Sequence, residues 1–253
     1  MILDSFKLDG RVALVTGAGR GIGRALAQGL AEAGADIACV TRTGNSPETR
    51  ALVESCGRRF LDVKVDLGKP KQRAGVVDHV VAELGGLDIL VNNAGVTGRY
   101  PPEEYPESEW RNLMEVHLHA AFDLAVQAAK HMEPKGGGKI INIGSVMSFE
   151  GGLHISAYAS AKHAIAGLTK SLASSWAAKG INVNAICPGY TATELAGPLQ
   201  KDPVRGPQIL QRIPAGRWAE PEELAGLCVF LASDAASYMH GSCVPIDGGW
   251  LAR

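Results

Sequence analysis

Tyr158 and Lys162 stand four positions apart in the stretch Tyr158-Ala159-Ser160-Ala161-Lys162, with Ser145 thirteen positions before the tyrosine. On a helix, residues at that spacing share a face, so the lysine ammonium lies beside the phenol. A neighbouring positive charge favours the phenolate and draws a pKa that is about 10 in free tyrosine toward neutrality. Tyr158 is therefore a candidate proton donor and acceptor. The same spacing also suits a solvated surface pair.

A second constellation lies far upstream, in Thr16-Gly17-Ala18-Gly19-Arg20-Gly21-Ile22-Gly23. The apolar run Arg11–Thr16 before it reads as a buried strand, and Ile22–Ala33 after it has the apolar spacing of a helix. The glycines therefore occupy a strand-to-helix turn, where the backbone can approach a pyrophosphate and the N–H groups and dipole of the helix start attract its charge. Gly17, Gly19, Arg20, Gly21, Ile22 and Gly23 become candidate dinucleotide-binding residues. The other reading is a tight turn without a ligand.

The elements that must position these groups alternate along the chain. Apolar strands are predicted at Val12–Thr16, Asp36–Val40, Phe60–Val65, Ile89–Val91, Lys139–Ile143, Asn182–Ile186 and Ser242–Ile246. Helices are predicted to Ala33, and at Ser46–Cys56, Lys71–Leu84, Glu107–Met132, Ala157–Ala178 and Pro221–Ser233, with a Pro- and Gly-rich loop over Tyr190–Trp218. Such alternation implies an α/β fold: one doubly wound, Rossmann-type parallel sheet with helices on both faces. Ligands of such sheets bind beyond the carboxyl ends of the strands. The glycine turn, Asn92-Asn93-Ala94-Gly95, Ser145 and Pro188-Gly189 all fall at those ends. No linker or repeat divides the sequence, so residues 1–253 are expected to form one domain.

The order and spacing of these motifs, with Asp66 after the third strand and Asp247-Gly248-Gly249 near the end, resemble the short-chain dehydrogenase/reductase family. The segments Ser148-Phe149-Glu150-Gly151-Gly152, Arg212–Trp218 and Asp247–Arg253 are similar to its 2-deoxy-D-gluconate and 2-dehydro-3-deoxy-D-gluconate dehydrogenases. The resemblance implies hydride transfer between a nicotinamide cofactor and a secondary alcohol or ketone of a sugar or sugar acid, with the protein supplying orientation. It implies that Ser145 holds the substrate oxygen, that Tyr158 exchanges a proton with it, and that Lys162 lowers the tyrosine pKa and grips the nicotinamide ribose. It further implies cofactor contacts from Asp66, Leu67, Asn93, Ala94, Gly95, Pro188, Gly189, Thr191 and Thr193. Substrate contacts are expected from Met147, His154, Tyr190, Arg205, Arg212 and Arg217, the arginines as partners for a carboxylate. Arg212 and Arg217 are equally readable as pins for the loop or a subunit interface.

The sequence departs from the family pattern at His117, where an asparagine is expected to hold a water and a helix irregularity that link the lysine to solvent. Histidine can also donate and accept, with an ordinary pKa of about 6.5 suited to proton transfer. A modified relay, weakened activity and simple space-filling are all open. Other readings of the whole are a ketoacyl-type reductase of the same family and a nucleotide-sensing protein that has lost turnover.

Charge at the second strand bears on the cofactor. Cys39-Val40-Thr41-Arg42-Thr43 holds no acid for the ribose hydroxyls of NAD, whereas Arg42 and Arg20 suit the 2′-phosphate of NADP. NADP(H) is preferred and NAD(H) possible as a substitute; solvated surface arginines are the alternative.

Composition narrows the classes further. Net charge is −1, from 25 basic and 26 acidic side chains mixed along the sequence, which offers no nucleic-acid surface. No run approaches about 20 apolar residues and the first ten residues lack a secretory pattern, so no membrane partner and a cytoplasmic location are expected. The five cysteines are scattered, and His117 and His119 fall on different helix faces, so no metal is expected. Small residues Ala120, Ala121, Ala125, Ala161, Ala164, Ala166 and Gly167 suggest close helix packing between subunits, and the resemblance implies a homotetramer.

Overall fold

Seven parallel strands form one sheet in a computed structural model that describes residues 1–252. The first half runs β1 (Val12–Thr16), α1 (Gly21–Glu32), β2 (Asp36–Thr41), α2 (Pro47–Ser55), β3 (Phe60–Lys64), α3 (Pro70–Arg73), α4 (Val76–Leu84) and β4 (Ile89–Asn92). After α5 (Glu107–Met114) and α6 (Ala120–Met132) come β5 (Gly138–Ile143), α7 (Ser156–Trp176) and β6 (Ile181–Pro188). Short helices α8 (Gly197–Gln200) and α9 (Arg205–Arg212) precede α10 (Ala225–Ala232) and β7 (Cys243–Ile246).

The strand order is β3-β2-β1-β4-β5-β6-β7. Every residue of β1, β4 and β6 is buried, as expected of strands covered on both faces. Alternate side chains feed two cores: Leu14, Ala38 and Leu90 pack with Val77, Leu124 and Leu172, while Ala13, Val15 and Val91 pack with Leu26, Leu30 and Leu231 on the opposite face. The order reverses beside β1, with β2 on one side and β4 on the other. This opens a crevice at their carboxyl ends.

Three expectations need correction. The helix expected over Lys71–Leu84 breaks at Gly75, whose φ of 73° is left-handed, so α3 and α4 are separate. The helix expected over Glu107–Met132 passes through a π-helical turn at Glu115–His119, in which the Ala120 amide bonds to the Glu115 carbonyl five residues back. The segment expected as a loop over Tyr190–Trp218 contains α8 and α9. Of the small residues expected between subunits, Ala120, Ala121, Ala125, Ala161 and Ala166 are buried within the chain itself, leaving Gly167 exposed and Ala164 half-buried. Among the described residues no helix is long and apolar enough to cross a membrane.

Candidate active site

The crevice begins with the turn between β1 and α1. No side chain caps the start of α1, so its first-turn amides point outward unclaimed by a protein side chain. Gly21 adopts φ 53°, a conformation a side chain would strain, and a Cβ at Gly23 would collide with the Gly17 carbonyl and the Asn93 amide. Thr16 locks this turn to β4: its hydroxyl oxygen accepts from the Asn93 and Ala94 backbone N–H groups, both at 2.9 Å, and Asn93 Nδ2 donates to the Thr16 carbonyl at 2.8 Å. A helix start with free amides behind a glycine cradle fits the pyrophosphate of a dinucleotide. Ile22 is half-buried against the core, and the methyl of Thr193 lies against Gly21.

Farther along the crevice, Leu67 is buried, and Asp66 turns inward to accept from the Gly68 amide at 3.1 Å. Pro188 ends β6, and Gly189 approaches Asp247 so closely that a Cβ would stand 2.7 Å from its Cα. Thr191 is buried and its hydroxyl donates to the Gly189 carbonyl at 3.3 Å. At the outer end Arg42 is exposed and makes no ion pair among the described residues, whereas Arg20 pairs with Glu194 at 2.9 Å on the surface.

Ser145, Tyr158, Lys162 and His117 converge beside Gly95. Ser145 caps the turn after β5, its Oγ accepting from the Met147 amide at 3.1 Å, and it lies near enough to the Tyr158 phenol to favour its ionised form. Ser148 ties this turn to α7 by donating to the Lys162 carbonyl at 2.9 Å. Burial raises the Tyr158 pKa above its ordinary value, against the lowering effect of Ser145. The expectation that Lys162 draws the phenol toward neutrality is not met in this geometry: its Nζ donates to the Ile143 carbonyl at 2.6 Å and stands 5.5 Å from the phenol ring centre. Burial brings the lysine itself down to about 8.

His117 projects from the π turn. Its Nε2 lies 2.8 Å from the Val96 carbonyl and 3.0 Å from the Val96 amide, and its ring meets the Tyr158 ring edge-on with centres 5.5 Å apart. A Cβ at Gly95 would stand 2.6 Å from His117 Cε1, so the ring packs flush against that glycine. Burial, reinforced by the charge of Lys162, pushes the imidazole pKa down to about 3. The ring is neutral at ordinary pH, and its buried Nδ1 has no protein partner among the described residues.

A family model described as Enoyl-(Acyl carrier protein) reductase matches residues 17–251. The 2-dehydro-3-deoxy-D-gluconate 5-dehydrogenase of Bacillus subtilis is 47% identical over 253 residues, covering 99% of this chain and 98% of that protein. The gluconate 5-dehydrogenase of Gluconobacter oxydans is 40% identical, covering 97% and 96%. The crystal structure of a gluconate 5-dehydrogenase from Burkholderia cenocepacia in complex with NADP and tartrate is 41% identical, with a TM-score of 0.94 over 100% of both chains. The chain belongs to the short-chain dehydrogenase/reductase family. As a member it is an oxidoreductase that acts on CH–OH groups with a nicotinamide cofactor.

Farther from the glycine turn, Tyr190 packs edge-on against Trp218 and tilted against Trp250, with ring centres 5.1 and 4.8 Å away. Met147 is buried in the same cluster. His154 is exposed and holds φ 59°, while its carbonyl accepts from the Tyr100 amide at 3.0 Å. The three expected arginines separate. Arg205 lies close enough to Arg99 to depress its pKa, second to burial, and both act on Tyr190. Arg212 instead lies 3.9 Å over the Trp250 ring and 3.6 Å from Glu150, and Arg217 forms a fork with Glu223 at 2.6 and 2.7 Å. Arg217 thus pins the segment, while Arg212 is held by Glu150 and Trp250 with its charge still reaching Tyr190.

Arg99 is the residue that sequence reasoning missed. It donates to the Leu153 carbonyl at 3.4 Å, and its charge reaches both Tyr158 and Tyr190. Nothing in Thr97-Gly98-Arg99-Tyr100 marks it as special. Only the fold brings it beside Arg205.

Proposed function

We propose that this dehydrogenase interconverts a secondary alcohol and a ketone in a sugar acid, using NADP(H). One observation carries the reading: the charges of Arg99 and Arg205 act on each other and both act on Tyr190, together with Arg212 and against Glu150, while that of Arg99 also reaches Tyr158. Like charges repel, so their juxtaposition favours an anion between them, and arginine binds carboxylates through paired hydrogen bonds. The names of relatives that act on gluconate and 2-dehydro-3-deoxy-D-gluconate support the same class.

In this mechanism Ser145 and Tyr158 grip the reacting oxygen, and Tyr158 exchanges the proton with it. Its raised pKa keeps the hydroxyl protonated at rest, ready to donate to a developing alkoxide. The glycine turn would hold the pyrophosphate of the dinucleotide, and Asn93, Ala94, Gly189 and Thr191 would line the rest of its path; the cofactor would supply or accept the hydride. Lys162, freed from the Ile143 carbonyl, is the group that reaches the ribose and the phenol together. His117 remains neutral and orders the Val96 backbone beneath Gly95, with Nδ1 free to accept a proton-bearing partner. Arg42 and Arg20 support NADP(H) over NAD(H), since no carboxylate follows β2 to take the ribose hydroxyls.

The enzyme works as one domain in the cytoplasm, and pairs through the face of α5 and α6 where Trp110 and Phe122 stand exposed. Exposed Phe149, Leu153, Leu195 and Val204 on the two flanking segments favour a second reading, an acyl ketone as substrate. Assays of gluconate, 2-dehydro-3-deoxy-D-gluconate, neutral sugars and β-ketoacyl esters with each cofactor decide. Turnover confined to β-ketoacyl esters would overturn the sugar-acid reading.

A further inference from the structure

Arg73 is a cation only 3% exposed, and no step of the proposed chemistry uses it. Its Nη1 donates to the Leu67 carbonyl at 2.8 Å and to Glu115 Oε2 at 2.9 Å, and reaches the Glu115 carbonyl at 3.5 Å. Its Nε donates to Asp123 Oδ2 at 2.8 Å, and Gln127 Nε2 donates back to the Arg73 carbonyl at 3.0 Å. One guanidinium thus joins the segment after β3, the first residue of the π turn and the first turn of α6.

The π turn needs such support. A five-residue hydrogen bond is rare and poorly packed, so an isolated helix reverts to the four-residue pattern. Here the bond is the one from the Ala120 amide to the Glu115 carbonyl, and Arg73 holds Glu115 by both its carboxylate and that carbonyl. Reversion would rotate His117 away from Val96 and Gly95. Removing Arg73 frees the Glu115 and Asp123 carboxylates, which are partly exposed, and takes away the buried guanidinium that holds the Glu115 backbone in the turn.

We infer that Arg73 is a positioning residue, which holds the π turn that aims His117 into the active site and links that turn to the Leu67 end of the crevice. The inference rests on the reading of this crevice as the cofactor site. It predicts that occupancy of the Leu67 end tightens Glu115–Ala120 through one side chain.

Hydrogen exchange on the full chain, with and without NADPH, tests it apart from turnover. In the parent protein NADPH slows exchange in residues 115–120. In Arg73→Met those amides exchange at least about tenfold faster while the strand amides are unchanged, the NADPH effect there is lost, and Arg73→Lys restores part of it. Steady-state rates with 2-dehydro-3-deoxy-D-gluconate and NADP+ add a double-mutant cycle: Arg73→Met lowers kcat about tenfold or more, and far less in a His117→Ala background. If Arg73→Met does not fold, Glu115→Gln weakens the same pair and takes its place. Unchanged exchange at 115–120, or equal kcat losses in both backgrounds, would overturn the inference. Absence of turnover in the parent with the exchange pattern intact would sink the sugar-acid reading and leave Arg73 in its role.

Discussion

Lys162 directs its ammonium to the Ile143 carbonyl, 2.6 Å away, and not to the hydroxyl of Tyr158 one helical turn earlier. Helical spacing brings the two side chains to one face, but a buried ammonium takes the nearest unshared carbonyl. On the proposed mechanism, Lys162 would have to exchange partners when the cofactor ribose arrives.

Tyr158→Phe should lower turnover by roughly 10²- to 10⁴-fold, the usual worth of a positioned proton donor. NADPH binding followed by fluorescence should be unchanged, since the ring still packs on His117. A near-normal rate in the variant would remove Tyr158 from the proton step.

His117 makes acid stability a test of the site. Its folded pKa of about 3 lies below the ordinary 6.5, so between those values the unfolded chain binds more protons. Stability contributed by the neutral ring is thus complete above about pH 6.5 and is lost as pH falls toward 3. His117→Asn should flatten this limb in urea titrations at pH 7 and pH 4.5, and retain or raise turnover. An equal loss of stability with acid in both proteins would contradict the buried neutral ring.

Arg42→Asp should move the ratio of kcat/KM for NADPH over NADH toward NADH by about tenfold or more, since hydrogen bonds to a charged group contribute roughly 1.5–3 kcal/mol. An unchanged ratio would show that the exposed guanidinium has no phosphate to hold.

Arg99→Ala and Arg205→Ala should raise KM for sugar acids about tenfold or more and change neutral sugars little, because a carboxylate loses one charged partner. Arg217→Ala, which removes the fork to Glu223 and the bond to the Trp218 carbonyl, should leave both KM values in place. Equal effects of all three on acids and neutral sugars would mean that Arg99 and Arg205 are structural.

Much of this was legible in residue patterns. The apolar runs Val12–Thr16 and Ile89–Val91 read as strands of a covered sheet, and they place the glycine turn and Asn93 at one edge. The Tyr158–Lys162 spacing likewise located the proton-transfer groups. What escaped depends on partners distant in the chain. The π turn exists because Arg73 and Val96 hold it from two sides, and neither leaves a mark in the local period. Arg99 gains meaning only beside Arg205, while Arg212 and Arg217 lose theirs to Trp250, Glu150 and Glu223. The glycine at position 75 reads as an ordinary helical residue until its left-handed φ divides α3 from α4.

The placement of β1 between β2 and β4 also fixes the order in which the molecule can be born. Thr16 and Val91, whose contact closes the crevice, are 75 positions apart, so a nascent chain carries β1 with one naked, hydrogen-bonding edge until β4 emerges. During synthesis at roughly 5–20 residues per second that edge stays bare for several seconds, a window for wrong pairing with a neighbouring chain. The strand that later carries the dinucleotide turn is therefore the one whose partner is longest in coming.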